Sequence, residues 1–127
     1  MLNLDTHILL HAFSGELTPR ERRLLASNEW SISAIVLWEI TKLTQLGRLE
    51  IDVDSSEFTR LLAGVHVWPL TLEICRRVRD LDFSSDPADE IIAATSMVHK
   101  LPLLTRDRVI LRSKMIELPE PRLSSPA

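Results

Sequence analysis

The alternation of short apolar runs with longer helical patterns is the feature that most constrains the fold of this chain. The runs LNLD, WSIS, VHVWPL and LLT have the composition of short strands, and a segment with helical spacing follows each of them. Strands that alternate with helices form a parallel sheet with crossover helices. The 127 residues suffice for one core. We therefore predict a three-layer α/β/α sandwich with four to five mostly parallel strands, in which MIEL at 115–118 is an edge strand.

Several helix ends carry local signals. Thr18 and Glu21 have the spacing of a capping box, in which each side chain accepts a backbone N–H of the other residue. Gly47 follows a helical pattern and suits a left-handed helix end. Asp86 stands directly before Pro87 and is predicted to be the N-cap of the helix that follows.

The sequence predicts one domain and a short tail. Residues 1–117 are expected to form a single domain, because no repeat or low-complexity linker divides them. Residues 118–127 are proline-rich and polar, and we expect a partly disordered tail. No window reaches the roughly 18 apolar residues of a membrane span, and the N-terminus lacks a signal-peptide pattern. We therefore expect a cytoplasmic protein without a membrane partner, in which the lone Cys75 is a small buried side chain.

The charge balance limits how the chain could contact nucleic acid. A formal net charge of −3 argues against a protein that holds nucleic acid by bulk electrostatic attraction. A polyanion would have to contact local basic patches, such as the arginines of PRERR. Trp30, Trp38 and Trp68 lie in apolar sequence, so we expect them in a core or an interface and not as platforms for base stacking.

Acidic residues follow the predicted strands and point to a metal site. Asp5 ends the first strand, and Asp107 follows LLT by two residues. Glu39 lies in the helix after the second strand, and Asp89 lies in the first turn of the helix before LLT. Ligands bind at the carboxyl ends of parallel strands, so these four acids could converge on one pocket. Uncompensated carboxylates in proximity call for a cation, and oxygen ligands suit Mg²⁺ or Mn²⁺.

Other interpretations of the same residues compete with a metal site. Acids at helix starts and strand ends also serve as caps and as partners of the helix dipole. His7 and His11 are four residues apart, as zinc ligands often are, but no third ligand is evident. A phosphoacceptor receiver domain would need an aspartate at the end of VHVWPL, which has none.

The ordered set of motifs resembles a known family. LDTH, SAIVLWEI with a glycine eight residues after the glutamate, DPADEIIAA and LLTRD are similar to the successive blocks of PIN-domain proteins, in particular the VapC-like toxins of toxin-antitoxin pairs. The resemblance runs from Leu2 to about Glu117. It implies a PIN-like fold and a Mg²⁺- or Mn²⁺-dependent endoribonuclease that cleaves RNA. It also implies inhibition by a cognate antitoxin and assembly as a homodimer.

The resemblance implies roles for individual residues. The acids of the family's catalytic site match Asp5, Glu39, Asp89 and Asp107; hydroxyl residues that support them match Thr6, Ser33 and Thr105. Our hypothesis is that Asp5, Asp89 and Asp107 bind the metal, while Glu39 completes its shell or orients the attacking water. A PIN-like module that binds RNA or protein without catalysis is the alternative.

The third motif departs from the family's usual pattern. Ala88 replaces the usual phenylalanine, Glu90 replaces the usual arginine, and Ser84 stands where a histidine is frequent. Asp86 and Glu90 are expected to lie behind the ligands, as outer partners of the site. Glu90 adds a negative charge beside the predicted metal, and its effect on metal affinity is left open.

Overall fold

A computed structural model describes residues 1–119, and residues 120–127 of the predicted tail lie outside this range. Within it, four strands form one sheet in the order β3-β2-β1-β4, and every pair is parallel. The strands are β1 (Leu2–Leu4), β2 (Trp30–Ser33), β3 (Val65–Trp68) and β4 (Leu103–Leu104). The predicted α/β/α fold with a parallel sheet is confirmed. The boundary at residue 117 stays a prediction.

Seven α-helices connect and cover these strands in residues 1–119. They are α1 (Thr6–Ser14), α2 (Pro19–Ala26), α3 (Ala34–Gln45), α4 (Ser56–Ala63), α5 (Leu72–Arg77), α6 (Pro87–His99) and α7 (Arg108–Leu111). The capping box of Thr18 and Glu21 is present at the start of α2. Gly47, just beyond α3, has a φ of +72°, so the predicted left-handed helix end is also confirmed.

A buried polar contact fixes α6 against β1, one of the two inner strands of the sheet. Asn3 lies in β1 and is fully buried, and its side-chain amide donates to the Ser96 hydroxyl at 2.9 Å. The same amide donates to the carbonyl of Ile92 at 3.3 Å. A buried amide without partners would be costly, so these bonds favour one placement of α6 on the sheet. That placement brings the first turn of α6 to the carboxyl ends of the strands.

Two sequence predictions about the fold are wrong. MIEL does not form a fifth strand within the described residues, where it is irregular. Its segment instead buries Ile116 in the core, and the Glu117 carbonyl accepts a bond from the Leu103 N–H at 2.9 Å. Cys75 is exposed and not buried, because α5 buries its neighbour Ile74.

No helix in residues 1–119 is long and apolar enough to cross a membrane.

An ion pair joins α2 to the loop that follows β4. Two guanidinium nitrogens of Arg106 donate to the Glu21 carboxylate at 2.6 and 2.8 Å. Glu21 is buried, whereas the side chain of Arg106 is 40% exposed. The hydrogen bonds from Arg106 are the main reason that the pKa of Glu21 falls from 4.5 to about 2. Since the same carboxylate also closes the capping box, Glu21 holds two parts of the chain in register.

We expect the Glu21→Gln variant to lose about 1 kcal/mol of unfolding free energy at pH 7, a modest value because Arg106 is partly solvated. The one oxygen of glutamine can still accept the Thr18 N–H of the capping box, so the lost free energy reports the pairing with Arg106, both its charge and one of its two hydrogen bonds. A lowered pKa stabilises the fold above the unfolded value of 4.5, and this contribution disappears as the pH falls toward about 2. Urea unfolding of both proteins should therefore give a difference that shrinks over this pH window.

Glu29→Gln is the matched control, because Glu29 is exposed and its side chain has no hydrogen bond within residues 1–119. It should leave the unfolding free energy unchanged at every pH. A difference between wild type and Glu21→Gln that is equal at pH 7 and pH 2.5 would contradict a role for the Glu21 charge.

Candidate active site

The four predicted acids come together at the carboxyl ends of the strands. Asp5 directly follows β1, Asp107 follows β4, Glu39 projects from α3, and Asp89 lies in the first turn of α6. They line one pocket of about 340 Å³, together with His7, His11, Asp86 and Arg106. The sequence therefore predicted correctly which acids share a pocket.

Asp5 is the most deeply buried of these acids, with 4% of its surface exposed. It caps α1, because its Oδ1 accepts the backbone N–H of Thr6 at 2.8 Å. Its Oδ2 accepts a hydrogen bond from the hydroxyl of Thr105. Both carboxylate oxygens thus have a partner, which offsets part of the cost of burying the charge.

Glu39 is held by a neighbouring hydroxyl. The Thr6 hydroxyl donates to Oε1 of Glu39 across the gap between α1 and α3. The Ser33 hydroxyl oxygen accepts the Ile35 N–H at 3.2 Å and caps α3. Its support of the acids stays a prediction, because Ser33 has no hydrogen bond to an acid in residues 1–119. By capping α3, Ser33 helps to start the helix that carries Glu39.

Asp107 and Asp5 are linked through Thr105. The Thr105 oxygen accepts the Asp107 N–H at 3.0 Å while its hydroxyl donates to Asp5. The Oδ1 atom of Asp107 accepts the N–H groups of Val109 and Ile110 at 2.8 and 3.2 Å, which caps α7. Asp107 therefore caps α7 and also lines the pocket.

Asp89 is bound by a residue that sequence reasoning missed. The Ser85 hydroxyl donates to Oδ2 of Asp89 at 3.0 Å, and the Ser85 N–H donates to Oε2 of Glu90 at 3.0 Å. Asp86 occupies the predicted N-cap position but makes no side-chain capping bond. The two acids of the first turn, Asp89 and Glu90, instead accept hydrogen bonds from the hydroxyl and the N–H of Ser85. A serine four residues before an acid at a helix start was the signal available in the sequence.

The environment of the pocket disfavours the charged form of two carboxylates, those of Asp5 and Asp89. Burial raises the pKa of Asp5, which the hydrogen bonds of Thr105 and Thr6 oppose. The pKa of Asp89 rises from 3.8 to about 6, first through burial and then through the charges of Asp5, Glu39 and Asp107. The acids thus repel one another across the pocket.

The basic residues of the pocket do not neutralise the acids by direct pairing. Arg106 bonds to Glu21 with two of its nitrogens and to the Glu16 carbonyl. His7 and His11 line the pocket. In residues 1–119 no salt bridge involves Asp5, Glu39, Asp89 or Asp107.

The donor set suits a hard divalent cation. Oε2 of Glu39, Oδ1 of Asp89 and Oδ2 of Asp107 have no hydrogen-bond partner in residues 1–119. No three His, Cys, Asp or Glu side chains in this range are grouped to hold an ion by themselves. Mg²⁺ is commonly bound by one or two carboxylates with water and substrate oxygens, so the chemistry of these residues fits. Within the same residues, no third side chain is grouped with His7 and His11 as a zinc site would require.

A second, mostly apolar pocket of about 540 Å³ adjoins the acidic one. His7 and His11 line both pockets. The apolar wall comes from the end of α1, from α3 and from the loop that follows α3; it includes Leu10, Phe13, Leu43, Leu49 and Ile51. We call this surface the apolar groove. A chain that lay in it would pass close to the four acids.

Comparisons with known proteins agree with this architecture. The model of the PIN domain family matches residues 3–114. Comparison with curated proteins gives no match. The chain superposes on a chain of VapBC2 from Rickettsia felis bound to a promoter DNA fragment, with 17% identity, a TM-score of 0.73 and coverage of 94% of this chain and 98% of that one.

Two further solved structures have the same fold. For FitAcB from Neisseria gonorrhoeae the identity is 21% and the TM-score 0.67, with coverage of 93% and 96%. For a toxin-antitoxin complex from Klebsiella pneumoniae the identity is 21% and the TM-score 0.65, with coverage of 91% and 95%. At these identities the likeness concerns the fold. Because the PIN model spans most of the sequence, the chain belongs to the PIN domain family, a family of nucleases.

Proposed function

We propose that this protein is a Mg²⁺- or Mn²⁺-dependent endoribonuclease toxin that a cognate antitoxin inhibits. The observation that carries the proposal is the convergence of four carboxylates on one pocket, where none of them forms a salt bridge with another residue of 1–119. The chain belongs to the PIN domain family, which consists of nucleases, and this supports hydrolysis of a phosphodiester. Similar folds in solved toxin-antitoxin complexes support the toxin role. A cytoplasmic location remains a prediction from the sequence.

The four acids take different parts in the proposed reaction. Asp5, Asp89 and Asp107 would hold the divalent ions, and Asp5 is the most rigid of them because both its oxygens are bonded. When bound, such ions make a water more acidic and offset charge on the leaving oxygen. Glu39 has one oxygen fixed by Thr6, and its free oxygen would orient the attacking water. The water oxygen bonds to phosphorus in line with the 3′ oxygen, whose bond to phosphorus breaks.

The acidic pocket makes this reaction dependent on a cation. RNA phosphates and uncompensated carboxylates repel each other, and the net charge of −3 gives no general attraction to compensate. A cation between them would turn this repulsion into attraction. Activity should therefore require a divalent ion, and chelation should abolish it.

We expect the wild type to cleave at least one RNA of a structured panel with Mg²⁺ or Mn²⁺ and none of them in EDTA. Asp5→Asn and Asp89→Asn should each reduce the rate by more than about 100-fold, since even outer partners of metal ligands are worth 10- to 100-fold. Gel analysis of the fragments measures both effects.

Glu57→Gln is the control for these variants, because Glu57 is an exposed acid of α4 that does not line the pocket. It should cleave at the wild-type rate. Cleavage that persists in EDTA would rule out the metal mechanism. Binding of RNA or of a protein partner without any cleavage by the wild type would favour the alternative, a PIN-like module without catalysis.

The apolar groove is the surface that we assign to the antitoxin. Its apolar wall suits apolar side chains of an antitoxin segment, and its shared border with the acidic pocket suits an arginine or lysine that reaches the carboxylates. Such a segment would neutralise the acids and exclude the metal. A small protein with a basic tail, encoded immediately upstream, is the expected partner.

We expect Leu43→Glu to weaken binding of that neighbouring protein by at least about 10-fold, because it places a charge in the apolar groove. Leu43 lines the groove on α3, whereas Leu46 lies just after α3, is 58% exposed and does not line it. Leu46→Glu is therefore the matched control and should bind as the wild type does. Calorimetric titration measures the affinities; equal losses for the two variants would contradict this docking site.

The proposal includes a homodimer, which the resemblance implies. Trp38 was expected in a core or an interface, and its 57% exposure on α3 leaves the interface as its predicted place. Sedimentation of the purified chain and of Trp38→Ala would measure the oligomeric state and the contribution of this side chain.

A further inference from the structure

Ser85 and Glu90 form a local arrangement that leads into α6. Ser85 immediately precedes the N-cap Asp86, and it uses both of its donors on the first turn of the helix. Its hydroxyl donates to Oδ2 of Asp89 and its N–H donates to Oε2 of Glu90, each at 3.0 Å. All three side chains are half-buried, so these bonds are partly protected from water.

This arrangement differs from an ordinary capping box. There, the acid at the third helical position accepts the N–H of the N-cap residue itself. Here Asp89 holds that third position, yet its carboxylate accepts a hydroxyl from the residue before the cap. Glu90, one position further along, accepts the backbone donor instead. Asp89 is thus left with Oδ1 available to the pocket.

The bond to Ser85 restricts the side chain of Asp89. A half-buried aspartate without a partner could rotate between several orientations, and only some of them would direct an oxygen into the pocket. One bond to Oδ2 selects a single orientation. The hydroxyl can do this only if its own backbone is fixed, and the bond from the Ser85 N–H to Glu90 fixes it.

We propose that Ser85 is a positioning residue that orients the Asp89 carboxylate toward the pocket, and that Glu90 acts through Ser85 by fixing its backbone. The inference rests on the proposed function in one respect, because it takes Asp89 as a ligand of the divalent ion. It assigns Glu90 the role of a hydrogen-bond acceptor and not of a ligand or of a general source of negative charge.

Binding of Mn²⁺ to the full chain, measured by calorimetry, tests the role of Ser85 without any need for an RNA substrate. We expect Ser85→Ala to bind Mn²⁺ about 10-fold more weakly than the wild type, as for other outer partners of metal ligands. Ser85→Thr keeps the hydroxyl and should restore most of the affinity. Ser84→Ala is the control, because Ser84 is exposed and has no side-chain hydrogen bond in residues 1–119.

Two variants of Glu90 separate its two conceivable effects. Glu90→Gln removes the charge but keeps an oxygen that can accept the Ser85 N–H, whereas Glu90→Ala removes both. We expect the glutamine variant to bind Mn²⁺ nearly as well as the wild type and the alanine variant to resemble Ser85→Ala. Equal weakening by both would overturn the role of Glu90 as an acceptor, because charge alone would then explain it.

The remaining outcomes distinguish this inference from the proposed function. Wild-type affinity in Ser85→Ala, or an equally weak Ser85→Thr, would overturn the positioning role while metal binding by the wild type stands. If the wild type binds no Mn²⁺, or if Asp89→Asn binds it as well as the wild type does, the proposed metal site fails and this inference fails with it. Thermal unfolding without metal verifies that each variant is folded.

Discussion

The rest of the site depends on the burial of one carboxylate, that of Asp5, at the end of the inner strand β1. Only 4% of its surface is exposed, and an ion in such a position is costly unless hydrogen bonds replace its lost water. The replacements come from the start of α1 and from the residue after β4. Holding Asp5 therefore also fixes where β1, β4 and α1 meet, and it fixes Thr6, which holds Glu39.

Three carboxylates of the pocket share one mode of support, since each accepts a hydrogen bond from a hydroxyl. Thr105 donates to Asp5, Thr6 to Glu39 and Ser85 to Asp89. A hydroxyl orients a carboxylate and leaves its charge in place, whereas a lysine or arginine would cancel it. Arg106, which lines the same pocket, is engaged by Glu21. Within residues 1–119, no basic side chain thus pairs with the acids of the pocket.

The sequence predicted the fold well where the signals were local. Apolar runs marked the four strands, and the capping box of Thr18 and Glu21 and the left-handed Gly47 behaved as expected. MIEL failed as a strand, because an apolar run may equally pack side chains into the core without joining the sheet, as Ile116 does. The prediction for Cys75 was wrong because free cysteines are usually buried, whereas the orientation of α5 buries the neighbouring Ile74.

By itself, the sequence determined the order in which strands and helices follow one another along the chain. It also determined which four acids could converge on one pocket, because parallel strands end at the same edge of a sheet. For two of the three hydroxyl–acid pairs, tertiary structure alone decided which hydroxyl donates to which acid, whereas Ser85 and Asp89 are only four residues apart. Thr105 and Asp5 are 100 residues apart, and Thr6 and Glu39 are 33 apart. Such pairs follow from the order of strands in the sheet and from the packing of α1 against α3, which no local pattern encodes. For Ser33, the sequence predicted its position after β2, whereas only the folded geometry shows that its hydroxyl oxygen accepts the Ile35 N–H and caps α3.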